Sequence, residues 1–245
     1  MKAMILAAGN GTRLKPLTDY KPKALVQIHG IPLLELIIKR LIKFGFTDLI
    51  INVHHFADQI LDFLTFNNHF GINIAISDET GLLLETGGGI VNAKWFLNDN
   101  EPFMVYNVDI LSDINLSQLV DYHIKNGALA TLAVKERNTS RQILFDEKYN
   151  LCEWRNVQTG ERKISRTPCG ELKPLAFSGI HVLNPVIFDL IEEKGVFSIM
   201  DVYLRLAKNY EIKGFDHSNT SWYDMGRYEH VVDFNNSGSL EFLNK

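Results

Sequence analysis

Residues 1–25 read MKAMILAAGNGTRLKPLTDYKPKAL, a short apolar run followed by a loop that carries glycines, prolines and several cations. The apolar run Met4–Ala8 predicts a buried strand, because it is short and ends directly at a glycine. Arg13 and Lys23 follow in the loop. A strand that runs into a glycine loop with cations is typical of α/β proteins that bind an anion at the carboxyl end of the sheet.

An alternation of helix and strand continues through the first half of the chain. Residues 32–44 carry apolar side chains at helical spacing, with Pro32 in the first turn and Gly45 as a stop signal. Further strands are predicted at 49–53, 72–77, 103–108 and 128–134, and further helices at 56–64, from after residue 89 to about 97, and at 116–125. This order predicts an α/β fold, a three-layer αβα sandwich with a mostly parallel, mixed central sheet, similar to a Rossmann fold.

The alternation ends after about residue 135. The sequence then predicts a hairpin at 142–145 and 151–154, a polar segment at 157–174, strands at 175–183, 212–216 and 222–224, and helices at 185–192, 199–208 and from about 228. We expect these strands to join the same sheet, so that residues 1–245 form a single domain.

Composition and charge bear on the partners and the location that we expect for the protein. The formal net charge of −4 does not favour binding to nucleic acid, so no nucleic-acid partner is expected. No apolar run reaches the roughly 18 residues that a membrane span needs, so no membrane partner is expected. Cys152 and Cys169 lack metal-type spacing and the first residues lack a signal-peptide pattern, which together favour a reducing, cytoplasmic location. The sequence does not define an oligomeric state.

Two common glycine motifs do not match the opening loop. The dinucleotide fingerprint requires a third glycine where Leu14 stands, and the P-loop pattern is absent. The loop nevertheless suits phosphate, because a guanidinium such as that of Arg13 can hold two phosphate oxygens and Lys23 can add a point charge. The alternative is a solvated basic turn, and we expect Lys15 and Lys21 to face water.

Residues 7–25 resemble the signature of the sugar-1-phosphate nucleotidyltransferases, A-A-G-x-G-[TS]-R-[LM]-x-P-L-T-x-x-x-P-K-x-[LM], and match it at every fixed position. The resemblance covers nearly the whole chain and is closest to the compact branch of this family. It implies a nucleoside triphosphate held by Ala8, Gly9, Gly11, Thr12 and Arg13. It also implies that Lys23 contacts the phosphates at the reacting centre, so that Arg13 and Lys23 are the expected catalytic residues.

A magnesium site is expected between two distant aspartates. Asp109 follows the predicted strand in FMVYNVD, and Asp224 lies in SWYDMGRYEH. Mg²⁺ in such sites takes one or two carboxylates plus phosphate oxygens. The family uses an N-x-D aspartate and a W-[YF]-D-x-G aspartate, so the resemblance implies a Mg²⁺ cofactor on Asp109 and Asp224, with Asn107 beside the nucleotide. The alternative for each aspartate is a helix cap or a turn former.

A second glycine segment, LLLETGGGIVNA at 82–93, precedes a predicted helix. Glycines there permit close backbone approach, and a helix start carries partial positive charge. The family places a similar loop against the base and sugar, which implies nucleotide contacts from Glu85, Thr86, Gly87 and Gly88. Glu85 and Thr86 resemble the uridylyl-type branch. The alternative is a plain turn into a helix.

Residues that contact the sugar are expected in two further segments. Ser178 and Gly179 interrupt the strand LAFSGIHVL, and the family presents a matching [FY]-[ST]-G to the sugar, although a β-bulge is the alternative. The chain departs from larger members in lacking an acidic-acidic-Lys-Pro segment that grips the sugar and its phosphate. Glu153 is the expected sugar contact in its place, with Arg155 as the alternative.

The resemblance implies the reaction of a nucleoside triphosphate with a sugar 1-phosphate to give a nucleoside diphosphate sugar and pyrophosphate. Residues from 1 to about 135 would form the nucleotide-binding half, and residues from about 136 to 245 the sugar-binding half. The favoured substrates are UTP and N-acetylmuramate 1-phosphate, in cell-wall recycling. The alternatives are a guanylyltransferase for mannose or heptose 1-phosphate, a phosphocholine cytidylyltransferase, a glycosyltransferase on a similar sheet, and a catalytically silent module that binds nucleotide sugars.

Overall fold

The predicted first strand forms β1 at the centre of a large sheet. The computed structural model describes residues 1–244, so Lys245, the last residue of the expected domain, lies outside it. The strands are β1 (Lys2–Leu6), β2 (Gln27–Ile28), β3 (Ile31–Pro32), β4 (Asp48–Val53), β5 (Asn73–Asp78), β6 (Phe103–Asn107), β7 (Ile110–Ser112), β8 (Ala130–Lys135), β9 (Arg141–Phe145), β10 (Leu151–Asn156), β11 (Arg162–Ile164), β12 (Lys173–Leu183), β13 (Ile212–Asp216) and β14 (Trp222–Asp224).

The helices alternate with these strands in the first half of the chain. In the second half, all three described helices follow β12. The helices are α1 (Leu33–Lys43), α2 (Ala57–Phe66), α3 (Glu85–Asn92), α4 (Lys94–Leu97), α5 (Leu116–Lys125), α6 (Ile187–Leu190), α7 (Ile199–Leu206) and α8 (Tyr228–Ser237). Short polar side chains begin two of them: Asn115 accepts the amide of Gln118 at 3.0 Å, and Ser198 accepts the amide of Met200 at 3.3 Å.

The sheet has ten of the described strands and is mixed. Eight run in the order β11-β10-β9-β12-β6-β1-β4-β5, while β8 pairs with β12 and β13. The pairings of β1 with β4 and β6, of β4 with β5 and of β8 with β13 are parallel. The long strand β12 is antiparallel to β6, β8 and β9, and it joins the two halves of the chain into one sheet.

Helices cover both faces of this sheet. Successive residues of β1 face opposite sides, so Ala3 and Ile5 pack with α1, α2, α5 and α8, while Met4 packs with α3, α4, α6 and α7. The predicted αβα sandwich with a mixed central sheet is therefore confirmed. None of the helices described here combines the length and the apolar character that crossing a membrane requires.

Several local features differ from the sequence-based expectations. Strands β2 and β3 were not predicted; they pair antiparallel, and Pro32, expected in the first helical turn, lies in β3. Strand β7 was not predicted either, and it pairs antiparallel with β14. Strand β11 lies inside the segment expected to be only polar. The glycines at 87–89 lie within α3 rather than before it, and the chain leaves the helical conformation between α3 and α4. The helix expected at 185–192 is limited to α6.

Candidate functional site

The expected charged residues converge at the carboxyl end of β1 and β6. The pairing of β14 with β7 places Asp224 opposite Ile110, one residue after Asp109. A Cβ atom added to Gly226 would lie 2.6 Å from Oδ2 of Asp109, 2.8 Å from Oδ1 of Asp224 and 3.2 Å from Nη2 of Arg13. Three charged groups from distant parts of the sequence therefore surround one glycine.

Lys23 completes this cluster through an ion pair. Its Nζ donates to Oδ2 of Asp109 at 2.5 Å, and their side chains are only 16% and 9% exposed. Separating charges in such a sheltered position is costly, because each would then lack both water and a partner. The pair therefore keeps Lys23 directed at the point where Asp109 and Asp224 approach each other.

The two aspartates expected to bind magnesium lie beside the same glycine. Oxygen atoms of both carboxylates face the small space beside Gly226, where a side chain would collide with them. Among the residues that the structure describes, no group of three or more His, Cys, Asp or Glu side chains could hold a metal. Two carboxylates completed by phosphate oxygens are nonetheless a common magnesium arrangement, so Asp109 and Asp224 are the residues that would hold the ion.

The opening loop is supported by Asn52, which was not predicted as a site residue. Oδ1 of Asn52 accepts the amides of Ala7 and Ala8, at 2.6 and 3.3 Å, and its Nδ2 donates to Oε1 of Glu79 at 2.8 Å. Oε2 of Glu79 in turn accepts the amide of Leu84 at 3.1 Å. Asn52 and Glu79 are buried. A buried polar residue inside the apolar strand LIINV was the available signal.

Gly9, Thr12 and Arg13 are exposed beyond this support, whereas the amide of Ala8 is already used by Asn52. The carbonyl of Gly11 accepts from the amide of Leu14 and from the hydroxyl of Thr18, both at 2.8 Å. The loop is thus held from inside while its outer surface remains open to a ligand.

The second glycine segment packs against the loop before α7. The amides of Gly87 and Gly88 donate to the carbonyl of Phe197, at 2.9 and 3.4 Å. A Cβ atom on either glycine would collide with Phe197 or with the carbonyl of Gly195. Close packing therefore explains both glycines, and their contact with a nucleotide stays a prediction.

The two residues before these glycines, Glu85 and Thr86, differ in exposure and in their contacts. Glu85 is exposed and has a left-handed backbone, with φ of 59°. The hydroxyl of Thr86 accepts the amide of Ile199 at 3.0 Å, and Thr86 also lines the large cavity described below. A left-handed glutamate is uncommon, and such residues concentrate at ligand sites.

Ser178 and Gly179 form a bulge in β12. Gly179 has φ of 76°, and the pairing of β12 with β8 shifts register between Phe177 and His181. A Cβ atom on Gly179 would lie 2.9 Å from Nδ2 of Asn107. The bulge interpretation is therefore confirmed, and the bulge brings β12 close to the predicted nucleotide contact Asn107.

Ser178 is turned into the protein rather than toward solvent. Its hydroxyl is hydrogen-bonded to Nε2 of His217 at 2.7 Å, and its carbonyl accepts from the indole of Trp222 at 2.9 Å. Burial, together with the charge of Lys135, lowers the pKa of His217 to about 4. A neutral imidazole at physiological pH thus holds the serine in place.

A cavity of about 540 Å³ opens at the carboxyl ends of β1 and β6, where Leu6 and Asn107 line it. Its lining includes Leu6, Thr86, Asn107, Arg137, Thr139, Arg141, Trp154, Lys163, Phe177, His181 and Asp201. This volume is within the range of small-molecule sites. Thr86 and Asn107 were predicted to contact the nucleotide, whereas Arg137 and Arg141 were not predicted as site residues.

Glu153 does not reach this cavity. It is buried, and it accepts from Nε and Nη2 of Arg162 at 2.6 Å each, which lowers the pKa of its carboxyl. The next residue, Trp154, lines the cavity, because neighbouring strand residues face opposite sides. Arg155 donates to Oε1 of Gln142 at 2.8 Å and also lies outside the lining.

Comparison with known proteins identifies the family of the chain. The family model described as "Nucleotidyl transferase" matches residues 2–238. N-acetylmuramate alpha-1-phosphate uridylyltransferase of Neisseria meningitidis serogroup B is 33% identical over 233 residues, 92% of this chain and 93% of that protein. Mannose-1-phosphate guanylyltransferase catalytic subunit beta of Dictyostelium discoideum is 28% identical, over 93% of this chain and 61% of that protein.

Solved structures share the fold. The crystal structure of HddC from Yersinia pseudotuberculosis matches with a TM-score of 0.77 and 22% identity, covering 96% of this chain and 98% of that chain. At this identity the likeness supports the fold alone. The family model, in contrast, is matched by the amino-acid sequence, from the first strand to the end of α8. The chain therefore belongs to the nucleotidyl transferase family.

Proposed function

We propose that this chain is a Mg²⁺-dependent enzyme that transfers a nucleotidyl group from a nucleoside triphosphate to a sugar 1-phosphate. The observation that carries the proposal is the convergence of Arg13, Lys23, Asp109 and Asp224 beside a cavity of about 540 Å³. Membership of the nucleotidyl transferase family supports the class of reaction.

The reaction joins two anions. An oxygen of the sugar phosphate attacks the α-phosphorus of the triphosphate, the bond from that phosphorus to the β-phosphate oxygen breaks, and pyrophosphate leaves with the electron pair. The second pKa of a phosphate monoester is about 6, so the attacking group is already ionised near neutral pH and needs no general base.

The residues of the site reduce the repulsion between these anions. Arg13 is exposed at the loop and can hold two phosphate oxygens of the departing pyrophosphate with its guanidinium. Lys23 is sheltered and can donate to the α-phosphate in place of Asp109. Mg²⁺ held by Asp109 and Asp224 would supply further positive charge to the phosphate oxygens.

UTP and N-acetylmuramate 1-phosphate are the proposed substrates. The 33% identity to the Neisseria relative over nearly its whole length supports this choice. Arg141 lines the cavity, and within residues 1–244 no acidic side chain pairs with it. A guanidinium without a partner suits the carboxylate of the lactyl group that distinguishes N-acetylmuramate from N-acetylglucosamine.

The test is pyrophosphate release with Mg²⁺ across five nucleotides (UTP, GTP, CTP, ATP and dTTP). The acceptors are the 1-phosphates of N-acetylmuramate, N-acetylglucosamine, mannose, glucose and heptose, together with phosphocholine. We expect UTP with N-acetylmuramate 1-phosphate to give the highest kcat/KM, about 10-fold or more above N-acetylglucosamine 1-phosphate, as one charged hydrogen bond allows. Preference for GTP with mannose 1-phosphate would overturn the substrate assignment. A folded, nucleotide-binding protein that releases no pyrophosphate with any pair would overturn the reaction and favour a silent binding module.

We also infer a cytoplasmic location. Among the described residues both cysteines are free thiols, Cys152 buried and Cys169 exposed. Unpaired cysteines are typical of a reducing compartment. The nucleoside triphosphate that the reaction consumes is likewise a cytoplasmic metabolite.

A further inference from the structure

We propose that Arg137 binds the phosphate of the sugar 1-phosphate. The proposal rests on the proposed nucleotidyl transfer, because it assigns the group that holds one of the two substrates. It also answers a question raised by the sequence, since the chain lacks the acidic-acidic-Lys-Pro segment and neither Glu153 nor Arg155 lines the cavity.

Arg137 lies where the cavity meets the charged cluster. Its guanidinium carbon is 4.2 Å from the ring centroid of Trp222, and its Nη2 donates to the carbonyl of Phe177 at 3.0 Å. Trp222 is in the same short strand as Asp224, and Phe177 precedes the bulge of β12. The ring and the carbonyl therefore fix the guanidinium in one orientation between the sugar cavity and the predicted magnesium ligands.

The guanidinium retains an unused donor. Nε of Arg137 is shielded from solvent and has no hydrogen-bond partner among the described residues. Burial lowers the pKa of Arg137, and the negative charge of Asp224 opposes that effect. A sheltered donor without an acceptor costs about 1–3 kcal/mol, so an anion that reaches Nε would regain this free energy.

Alternate residues of the segment 137–141 face the same cavity. Arg137, Thr139 and Arg141 are alternate residues, and all three line the cavity. In contrast, Nζ of Lys163 in the same lining is already 2.8 Å from Oδ1 of Asp201. Arg137 is thus the cavity cation that combines a fixed orientation with a free donor.

The chemistry requires a cation at this position. The attacking oxygen must approach the α-phosphorus, which the proposed function places beside Lys23 and Asp109. The sugar phosphate must then lie near Trp222 and Asp224, where its negative charge meets that of the triphosphate. Arg137 offsets this repulsion between the two substrates and orients the sugar phosphate, while Arg141 remains available for a second acidic group of the sugar.

The kinetic test compares Arg137→Gln and Arg137→Lys with Arg155→Gln. Arg155 is a matched control because it lies on β10 with its side chain hydrogen-bonded to Gln142 and outside the cavity lining. With UTP and N-acetylmuramate 1-phosphate, Arg137→Gln should lower kcat/KM for the sugar phosphate by about 10- to 100-fold. The KM for UTP should stay within about 2-fold, Arg137→Lys should recover part of the loss, and Arg155→Gln should match the wild type. An equal rise in both KM values, or no change at all, would overturn the proposal.

Binding measurements separate this proposal from the proposed function. Ligand-detected NMR titration of the full chain, with no turnover needed, should show that Arg137→Gln weakens N-acetylmuramate 1-phosphate by about 10-fold or more. Binding of N-acetylmuramate itself, which lacks the phosphate, should be the same for both proteins. Equal weakening of both ligands, or no binding of the sugar 1-phosphate to the wild type, would overturn the assignment of Arg137. A normal binding difference without pyrophosphate release would overturn only the proposed reaction.

Discussion

At the scale of single residues, the site balances its own charge before any substrate binds. Lys23 is paired with Asp109, and Arg13 and Asp224 approach the same point beside Gly226. A triphosphate and a sugar phosphate would bring a large excess of negative charge to this point. We therefore expect Lys23 to contribute most to offsetting this charge, because it is sheltered and already contacts Asp109.

Replacing Lys23 by alanine should lower kcat by about 100-fold or more, as the loss of one group that stabilises developing charge does. Lys15→Ala is the matched control, because Lys15 belongs to the same loop but is 66% exposed beside Asp19. The measurement is the rate of pyrophosphate release at saturating substrates, with the thermal midpoint of each variant recorded. A folded Lys23→Ala protein with near wild-type turnover would contradict the role given to Lys23.

Single residues also show where sequence-based prediction succeeds. The long opening signature identified Arg13 and Lys23, which the structure brings to one cluster with both predicted metal ligands. Glu153 was the expected sugar contact, but the neighbouring Trp154 lines the cavity and Glu153 does not. A shift of one residue in a strand reverses which side chains face a cavity, and no local pattern in LCEWRN distinguishes the two registers.

At the scale of elements, the bulge of β12 brings this strand against the predicted nucleotide contact Asn107. The positive φ of Gly179 turns the strand toward Asn107 and Ile110, with no space left for a side chain. A glycine inside the predicted strand 175–183 therefore correctly indicated a bulge with close packing. The pairing of β7 with β14 was not predictable, because each strand has three residues and their partners are distant in sequence.

Gly179→Ala should destabilise the protein by more than Gly160→Ala. Both glycines have nearly the same φ, 76° and 75°, so both substitutions carry the same backbone strain of about 1–2 kcal/mol. A Cβ atom on Gly160 meets nothing within 4 Å, whereas one on Gly179 lies 2.9 Å from Asn107 and from Ile110. Urea unfolding should show an excess loss of about 1–3 kcal/mol for Gly179→Ala, and equal losses would refute the packing argument.

A second element-scale link joins the two glycine segments through Asn52. Asn52→Leu removes the acceptor shared by the amides of Ala7 and Ala8, and it leaves Oε1 of the buried Glu79 without its donor. We expect about 2–4 kcal/mol of destabilisation and a raised KM for the nucleotide, because both loops lose a shared support. Asn73→Leu is the control, since this exposed residue makes one hydrogen bond to Asp48. Unfolding and KM values for Asn52→Leu that resemble those of Asn73→Leu would contradict the link.

At the scale of the whole molecule, the alternation of strands and helices along the sequence was enough to predict the layers. Residues of one strand divide between two cores, as Met4 and Ile5 do, and each core is closed by its own set of helices. The antiparallel extension through β9, β10 and β11 was less predictable, because it depends on which strands pair with β12 inside the sheet. That choice depends on contacts across the whole chain.

Buried histidines are distributed through these cores and make global stability depend on pH. Burial lowers the pKa of His123 to about 4, of His181 to about 3 and of His217 to about 4. The ordinary value is 6.5. Each histidine is therefore neutral in the folded protein at a pH where the unfolded chain already binds a proton.

The free energy of unfolding should consequently fall as the pH is lowered from about 6.5 toward 4, because the unfolded state binds more protons in this window. Between pH 6 and 5 the loss should be about 1 kcal/mol for each histidine. Carboxyls whose pKa is lowered, such as that of Glu153, act in the same direction but at lower pH. Urea unfolding at pH 7, 6 and 5 measures the slope, which His123→Gln should reduce and His69→Asn, at an exposed position, should leave unchanged. A stability that is flat between pH 6.5 and 5 would mean that these imidazoles accept protons in the folded state, and the neutral His217 assigned to hold Ser178 would then be wrong.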